Sequence, residues 1–328
     1  MFGRRIFMII VTGGAGFIGS CVVRTLNDMG IDDIIIVDHI VKTDKWMNMR
    51  NKRYIEYINR DEFLQKLDSF DGKVSHVIHM GACSATTEKD FDFLYKNNFE
   101  YTKALYKFCT KNQISFIYAS SAATYGNGAN GFDDKNDIKI LMPLNGYGYS
   151  KQLFDLWEEK QALKPKQHVG FKFFNVYGPN EYFKGNMASV ILHTFKQIKE
   201  KGYMGLFKSY KEGIQDGKQR RDFVYVKDIC NVIKFMLNNP EVNGLFNLGT
   251  GKARTFYDLA VATFQAMKIE PDIRFIDMPD SLREKYQYYT QANITKLRDV
   301  GYHDDFYTLE DGAKDYVQNY LMKDYEVY

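Results

Sequence analysis

This sequence predicts a doubly wound α/β fold, a parallel sheet with helices on both faces, followed by a smaller C-terminal α/β domain. Three observations predict it. Short β-branched apolar runs alternate with longer segments of helical periodicity through the first half of the chain. One such run, Ile34-Ile35-Ile36-Val37, is apolar without interruption, as a parallel strand covered on both faces must be. A glycine-rich turn from Thr12 to Gly19 joins the first apolar run to the first helical segment.

The elements follow in order. Ile9–Val11 reads as the first strand, Ile18–Met29 as the first helix and Ile34–Val37 as the second strand. Val77–His79 and Phe116–Ala119 are further strands, separated by the helical segment Phe91–Cys109. An amphipathic helix opens at Tyr147 and carries Leu153, Phe154 and Trp157 on its apolar side. Beyond Phe174 the rhythm loosens and the loops fill with Gly, Asn and Tyr. Segments near Asp222–Val226 and Leu245–Leu248 are expected to return as strands to the first domain. That domain therefore spans 1–175 with returning segments at about 221–249, and 176–328 is mainly a second domain.

Composition narrows the classes. With 328 residues, 45% hydrophobic and 26% charged, the chain buries a core without metal or disulfide staples. The net charge of 44 − 41 = +3 leaves no basic footprint for nucleic acid. Cys21, Cys83, Cys109 and Cys230 form no C-x-x-C pair and read as reduced thiols of a cytoplasmic protein. Met1–Val11 starts basic and turns apolar, like a secretory signal, but the apolar run Ile6–Val11 is only six residues long. No later stretch reaches the ~18 apolar residues of a membrane span. A strand opening at Met8 leaves Met1–Phe7 as an upstream extension. The six histidines show no metal-binding spacing, and His76 and His79, flanking a strand, read as structural.

The turn carries the first chemistry. Gly13 permits a tight bend, Gly16 lets backbone amides approach a pyrophosphate, and Gly19 lets the helix close on the sheet. The helix start then offers free N–H groups and a positive dipole end to phosphates. Asp38 follows Gly19 by nineteen residues, where a ribose-binding carboxylate belongs. Together these features predict a Rossmann-like dinucleotide site. Asp38 alone favours NAD. Lys42, Lys45, Arg50, Lys52, Arg53 and Arg60 just downstream could hold a 2′-phosphate, although for most of them a solvated loop is the plainer reading.

A second constellation follows. Tyr118-Ala-Ser120-Ser121 ends a predicted strand, at the carboxyl edge where ligands bind in such sheets. Tyr147 and Lys151, four apart, share one helix face, whereas Tyr149 has no lysine four residues on. An ammonium beside a tyrosine, with a nicotinamide cation, favours the phenolate, so that Tyr147 can take a proton from an alcohol as hydride departs. Ser121 can fix the same oxygen, and Lys151 can also bind the nicotinamide ribose. A Y-x-x-x-K spacing alone is common in a chain with 24 Tyr; the glycine turn and the strand-end serines give it meaning.

This ordered set resembles the extended short-chain dehydrogenase/reductase superfamily. Met8-IIVTGGAGFIGS, Gly81-ACSATTE, Phe173-FNVYGPNEYFKGNMASV, Arg221-DFVYV, Leu245-FNLGTG and Tyr286-QYYTQA narrow the resemblance to the ADP-L-glycero-D-manno-heptose 6-epimerases, from about Met8 to near the C-terminus. The resemblance implies inversion of C6 of the heptose in ADP-heptose, a lipopolysaccharide core precursor, by oxidation to a ketone and return of the hydride to the opposite face. It implies NADP as cofactor, with NAD second, and a cytoplasmic homo-oligomer with the pentamer as its candidate form. Tyr147 would serve one face and Lys184 the other, since each face needs a proton carrier. By motif position, Phe17, Ile18, Asp38, His39, Lys45, Arg60, Met80, Gly81, Ala82, Cys83, Ser84, Asn97, Lys151 and Val176 are implied to bind cofactor. Asn175, Asn186, His193, Phe207, Lys208, Ser209, Tyr210, Arg221 and Tyr286 are implied to bind substrate, Arg221 suiting a diphosphate through its forked donors.

Departures from the family pattern are His39 for Asn, Met80 for Glu, Arg60 for Lys, Gly146 for a bulkier residue, Asn186 for Ser, and a long Phe207–Arg221 stretch. The rival readings are a UDP-hexose 4-epimerase, which does not need Lys184, and a non-catalytic NADP-sensing module, which has no use for Ser121, Tyr147, Lys151 and Lys184 together. A 4,6-dehydratase would want an Asp-Glu pair where Ala122 and Ala123 stand.

Overall fold

The computed structural model describes residues 7–283 and 286–328; most of the upstream extension expected before Met8 lies outside them. The strands are β1 (Met8–Thr12), β2 (Ile34–Asp38), β3 (Glu56–Asn59), β4 (Val74–His79), β5 (Ser115–Ser121), β6 (Gln167–Phe173), β7 (Asn175–Tyr177), β8 (Met204–Phe207), β9 (Arg220–Tyr225), β10 (Gly244–Leu248), β11 (Ala253–Thr255) and β12 (Ile273–Ile276). The helices are α1 (Phe17–Asp28), α2 (Arg60–Lys66), α3 (Phe91–Leu94), α4 (Tyr101–Asn112), α5 (Gly146–Glu159), α6 (Val190–Lys201), α7 (Val226–Asn238), α8 (Phe256–Met267), α9 (Asp280–Arg283), α10 (Thr295–Asp299) and α11 (Leu309–Asn319).

Seven strands form one parallel sheet in the order β3-β2-β1-β4-β5-β6-β10. The order runs outward from β1 in both directions, so the carboxyl ends of β1 and β4 meet at the switch point where such sheets bind ligands. Ile34 to Val37 of β2 are each no more than 1% exposed, and burial of each such side chain contributes roughly 1.5–3 kcal/mol. Apolar faces of α1 and α7 cover one side of the sheet, while α4 and α5 cover the other with Leu105, Tyr106 and Phe154.

The segment Phe91–Cys109 is helical as expected, but a π-helical turn over Tyr95–Glu100 joins α3 to α4. Of the two segments expected to return to the first domain, one joins its large sheet: β10 pairs with β6, Leu245 opposite Gly170. The other forms a strand outside that sheet, with Phe223 to Tyr225 in one core cluster with Ile9 and Val11. β9 lies between β7 and β11 in a separate three-stranded sheet, and β12 pairs with β8 in another. The reason is chemical. β9 begins Arg220-Arg221-Asp222, unfit for a sheet buried on both faces. The Asp222 carboxylate instead accepts the amides of Thr250, Gly251 and Ala292 at 2.7–3.0 Å, tying β9 to the loop after β10 and to the C-terminal segment.

All four cysteines are free. Among the described residues no helix is long and apolar enough to cross a membrane.

Candidate active site

A cavity of about 610 Å³ opens at the carboxyl ends of the sheet. Its floor is the glycine turn. Gly13 has φ +67°, and a Cβ there would lie 2.6 Å from the Gly81 amide nitrogen; a Cβ on Gly19 would lie 2.1 Å from the Gly13 carbonyl oxygen. Side chains at either position would fill the place where β1, the β4 loop and α1 converge. Gly16 starts α1 with no side-chain cap, and no acidic residue occupies the first turn. The amides and the dipole end are thus free for an anion. This cradle fits a dinucleotide.

Asp38 ends β2 with both oxygens engaged. Oδ2 accepts the Ala15 amide at 2.9 Å, and Oδ1 accepts the His39 amide and the Lys45 ammonium, each at 2.7 Å. Arg60 lines the same end of the cavity and pairs with Asp61 at 3.0 Å. On the other side of the turn, His79 joins the Thr12 hydroxyl, at 2.5 Å, to that of Thr102, at 2.8 Å. Burial pushes its imidazole down to about 3, so it is a neutral bridge between strand ends and α4. His76 is likewise pushed down by burial, to about 4, in keeping with the structural reading.

The second wall holds Ser121 at the end of β5 and Tyr147 in the first turn of α5. Asn145 caps that helix by accepting the Gly148 amide at 2.8 Å, which sets where the tyrosine emerges. Lys151 is 4% exposed and donates to the Ala119 carbonyl at 2.8 Å. Burial pushes it down to about 8, and Asp155 one turn on opposes that. The expected depression of the Tyr147 phenol is not produced by the protein's own groups. Burial pushes it up, a hydrogen bond with Ser121 pulls it back, and the Lys151 ammonium is spent on a carbonyl. Tyr149 is 45% exposed, stacks on Phe91 and lies off the cavity, so geometry separates it from Tyr147.

The third wall is the loop between β7 and α6. Lys184 lines the cavity with its ammonium 5.5 Å from the centre of the Phe17 ring. Burial pushes its proton affinity down and Glu181 pushes it up.

A scan against family models matches residues 9–249 to the NAD dependent epimerase/dehydratase family. The chain belongs to that family. Its relatives include a protein of Fusobacterium nucleatum named ADP-L-glycero-D-manno-heptose-6-epimerase, 54% identical over 97% of this chain and 99% of the relative. A protein of the same name from Brachyspira hyodysenteriae is 44% identical over 95% and 97%. Among solved structures, the Helicobacter pylori ADP-L-glycero-D-manno-heptose-6-epimerase matches with a TM-score of 0.79 at 26% identity, covering 97% of this chain and 98% of that one.

In this member of the epimerase/dehydratase family the positions expected for cofactor all line the one cavity: the glycines, Phe17 and Ile18, Asp38, His39, Lys45, Arg60, Met80 to Ser84, Asn97, Lys151 and Val176. Those expected for substrate do not assemble in the same way. Asn175 lines the cavity. Arg221 and Tyr286 instead form a separate cluster, the guanidinium 5.5 Å from the Tyr286 ring centre and 5.6 Å from that of Phe256. Tyr210 reaches this cluster by donating its amide to the Tyr288 hydroxyl at 3.2 Å, and Tyr288 packs against Tyr286. Phe207 ends β8, Lys208 pairs with Asp277 at 3.0 Å, and the Ser209 amide donates to Asp216. Asn186 is exposed and His193 lies in the first turn of α6; neither lines the cavity.

Two buried asparagines were not singled out in the sequence. Asn98 exchanges hydrogen bonds with the Cys83 backbone at 2.8 and 3.0 Å and donates to Ser150 at 3.0 Å, fixing the Cys83 loop against α5. Asn48 donates to the Ala15 and Asn180 carbonyls, joining the glycine turn to the Lys184 loop. The legible sign of Asn98 was an Asn-Asn pair inside an otherwise amphipathic helix.

Proposed function

We propose that this chain converts ADP-D-glycero-D-manno-heptose to ADP-L-glycero-D-manno-heptose by inverting C6 of the heptose. One observation carries the reading: two proton-carrying side chains on different elements, Tyr147 on α5 and Lys184 after β7, line a single cavity beside a dinucleotide cradle. Oxidation at one face needs one such group. Return of hydride to the opposite face needs a second. The names of relatives at 54% and 44% identity support the same substrate.

Bound NADP supplies the hydride acceptor and donor. Tyr147 exchanges the proton of the C6 oxygen on one face, with Ser121 holding that oxygen. Lys184 does the same on the other face, its proton affinity brought down by burial. Lys151, held by the Ala119 carbonyl, binds the nicotinamide ribose. Arg221 takes the substrate diphosphate through its planar fork. The preference for NADP rests on Lys45 and Arg60. Lys45 neutralises Asp38, which would otherwise repel a 2′-phosphate, and Arg60 flanks the same end of the cavity. The remaining features we assign are a cytoplasmic homo-oligomer, a pentamer on the family pattern, serving lipopolysaccharide core synthesis.

The test is incubation of the purified protein with ADP-D-glycero-D-manno-heptose, followed by NMR at C6. Appearance of the L-glycero epimer without added cofactor is expected. No conversion, even with NADP supplied, overturns the reading. Mass analysis of nucleotide released on denaturation should find NADP, and replacing both Lys45 and Arg60 with Ala should lower the NADP:NAD affinity ratio at least about tenfold.

A further inference from the structure

Lys184 stands on a loop, and loops position side chains less well than helices do. The twelve residues from Gly178 to Ser189 between β7 and α6 contain one short 3-10 turn, Gly185–Met187. Beneath the loop, off the cavity, lies Glu181, which is 1% exposed. A buried carboxylate is costly unless paired and hydrogen-bonded. For Glu181, its own loop supplies three donors, although burial still pushes its carboxyl up. Its Oε1 accepts the Gly178 amide at 3.3 Å and the Ser189 hydroxyl at 2.6 Å, and its Oε2 accepts the Ser189 amide at 2.5 Å. The side chain therefore grips both ends of the loop. Its carbonyl accepts the Lys184 amide at 3.0 Å, and the Lys184 carbonyl accepts the Met187 amide at 3.0 Å, so the turn bearing the lysine is built on Glu181. Ser189, held at both N and Oγ, in turn caps α6 by accepting the Leu192 amide.

We propose that Glu181 is a positioning residue for Lys184, its buried carboxylate closing the loop that presents the lysine to the cavity and setting the charge the lysine faces. The inference rests on the reading of Lys184 as the second proton carrier. Glu181 touches neither substrate nor cofactor; it acts through the lysine. The titratable groups facing it are Lys184 and Tyr182 from the loop and Tyr316 from α11, and both phenols are pushed up by burial with the carboxylate nearby. Lys184 faces Glu181 and the Phe17 ring. Removing the carboxylate takes away the charge that opposes burial at the lysine, so its proton affinity falls further.

The experiment uses the intact enzyme. Turnover and KM are measured for Glu181→Gln, Glu181→Asp and Ser189→Ala. The protonation of Lys184 is read independently, from its rate of acylation by acetic anhydride as a function of pH, followed by peptide mass analysis. For Glu181→Gln, kcat should fall at least about tenfold, as misplaced catalytic groups do, with KM changed less than about twofold. The pH at which Lys184 becomes reactive should move down. Glu181→Asp, which keeps the charge but not the reach, should lose turnover and leave that pH near the wild-type value. Ser189→Ala keeps the carboxylate and removes one grip; kcat should fall about threefold, again with the pH unmoved. Wild-type kcat and an unmoved Lys184 titration in Glu181→Gln overturn the proposal, as does a loss of activity that only follows loss of folded protein. If Glu181→Gln does not fold, unchanged kcat in Ser189→Ala overturns it. A wild-type enzyme that leaves the sugar unchanged, or a fully active Lys184→Met, overturns the underlying reading instead.

Discussion

The two halves of the site are built by different means. In the dinucleotide half, the glycine turn, Asp38, the Cys83 loop, Ser121 and the Tyr147–Lys151 helix all hang from the carboxyl ends of adjacent parallel strands or from the helices that follow. Every expected position there meets on one cavity. In the half proposed to hold the sugar, Arg221, Tyr210 and Tyr286 come from β9, from the loop after β8 and from the segment after α9, in separate small sheets and loops. There the expected residues divide among the cavity edge, an aromatic and basic cluster, and the surface. A parallel sheet fixes strand ends relative to one another by its hydrogen-bond register. Among the described residues, the segments of the second half are joined by local bonds, such as the Arg220 amide to the Tyr288 carbonyl at 2.9 Å, and not by one shared sheet. The lesson is that motif spacing brings its residues together on one cavity where the motif rides on a register-locked sheet.

The largest expected effect breaks the comparison at its centre. Tyr147→Phe and Lys184→Met should each lower epimerisation at least about a thousandfold, measured by NMR, since each removes a proposed proton carrier. Bound dinucleotide should be retained in both, read from the absorbance of nucleotide released on denaturation. Tyr149→Phe should stay near wild type. A Lys184→Met variant with normal turnover would tie the chemistry to the dinucleotide half alone.

A smaller effect should separate the halves. Arg221→Lys keeps the charge and loses the fork. KM for the nucleotide sugar should rise about tenfold while cofactor content is unchanged, because the Arg221 cluster lies off the cavity that the cofactor positions line. Loss of cofactor in this variant would mean the halves are coupled.

The smallest effect lies outside both and calibrates them. Asp228, in the first turn of α7, is wholly buried and accepts the Tyr307 amide; burial pushes its carboxyl up to about 7. The folded state therefore holds its proton more tightly than the unfolded chain does. The stability this confers is full below about pH 4 and is lost as pH rises through about 7. Asp228→Asn keeps an acceptor for Tyr307 and removes the titration. It should match wild type near pH 4 and exceed it above pH 8 by roughly 1–3 kcal/mol, read from the two melting curves. Equal melting temperatures at both pH values would count against a buried, protonated Asp228.

Much of this was legible before any fold was known. The apolar strands, the glycine turn, Asp38 and the Tyr147–Lys151 spacing are local patterns, and each landed where its pattern placed it. Tyr147 was separable from Tyr149 by a lysine four residues on, and the helix face agrees. The exclusion of β9 from the large sheet was not read, although its Arg-Arg-Asp start carried the reason. Asn48, Asn98 and Glu181 were not singled out for their contacts, because a buried polar residue is informative only when its partners are known, and those lie on other segments or, for Glu181, across a folded loop.

By itself the sequence determined the alternation of strand and helix, the bend that only glycine permits at position 13, and the identity of the groups able to carry protons and phosphate contacts. These follow from side-chain shape, backbone freedom and acid strength, which a residue has wherever it stands. The tertiary structure alone decided which of those groups share a cavity and how tightly each holds its proton. Proximity and burial belong to the packed chain, and they turned Lys151 from an ordinary ammonium into one with a proton affinity near 8 and left the Tyr147 phenol above its usual range.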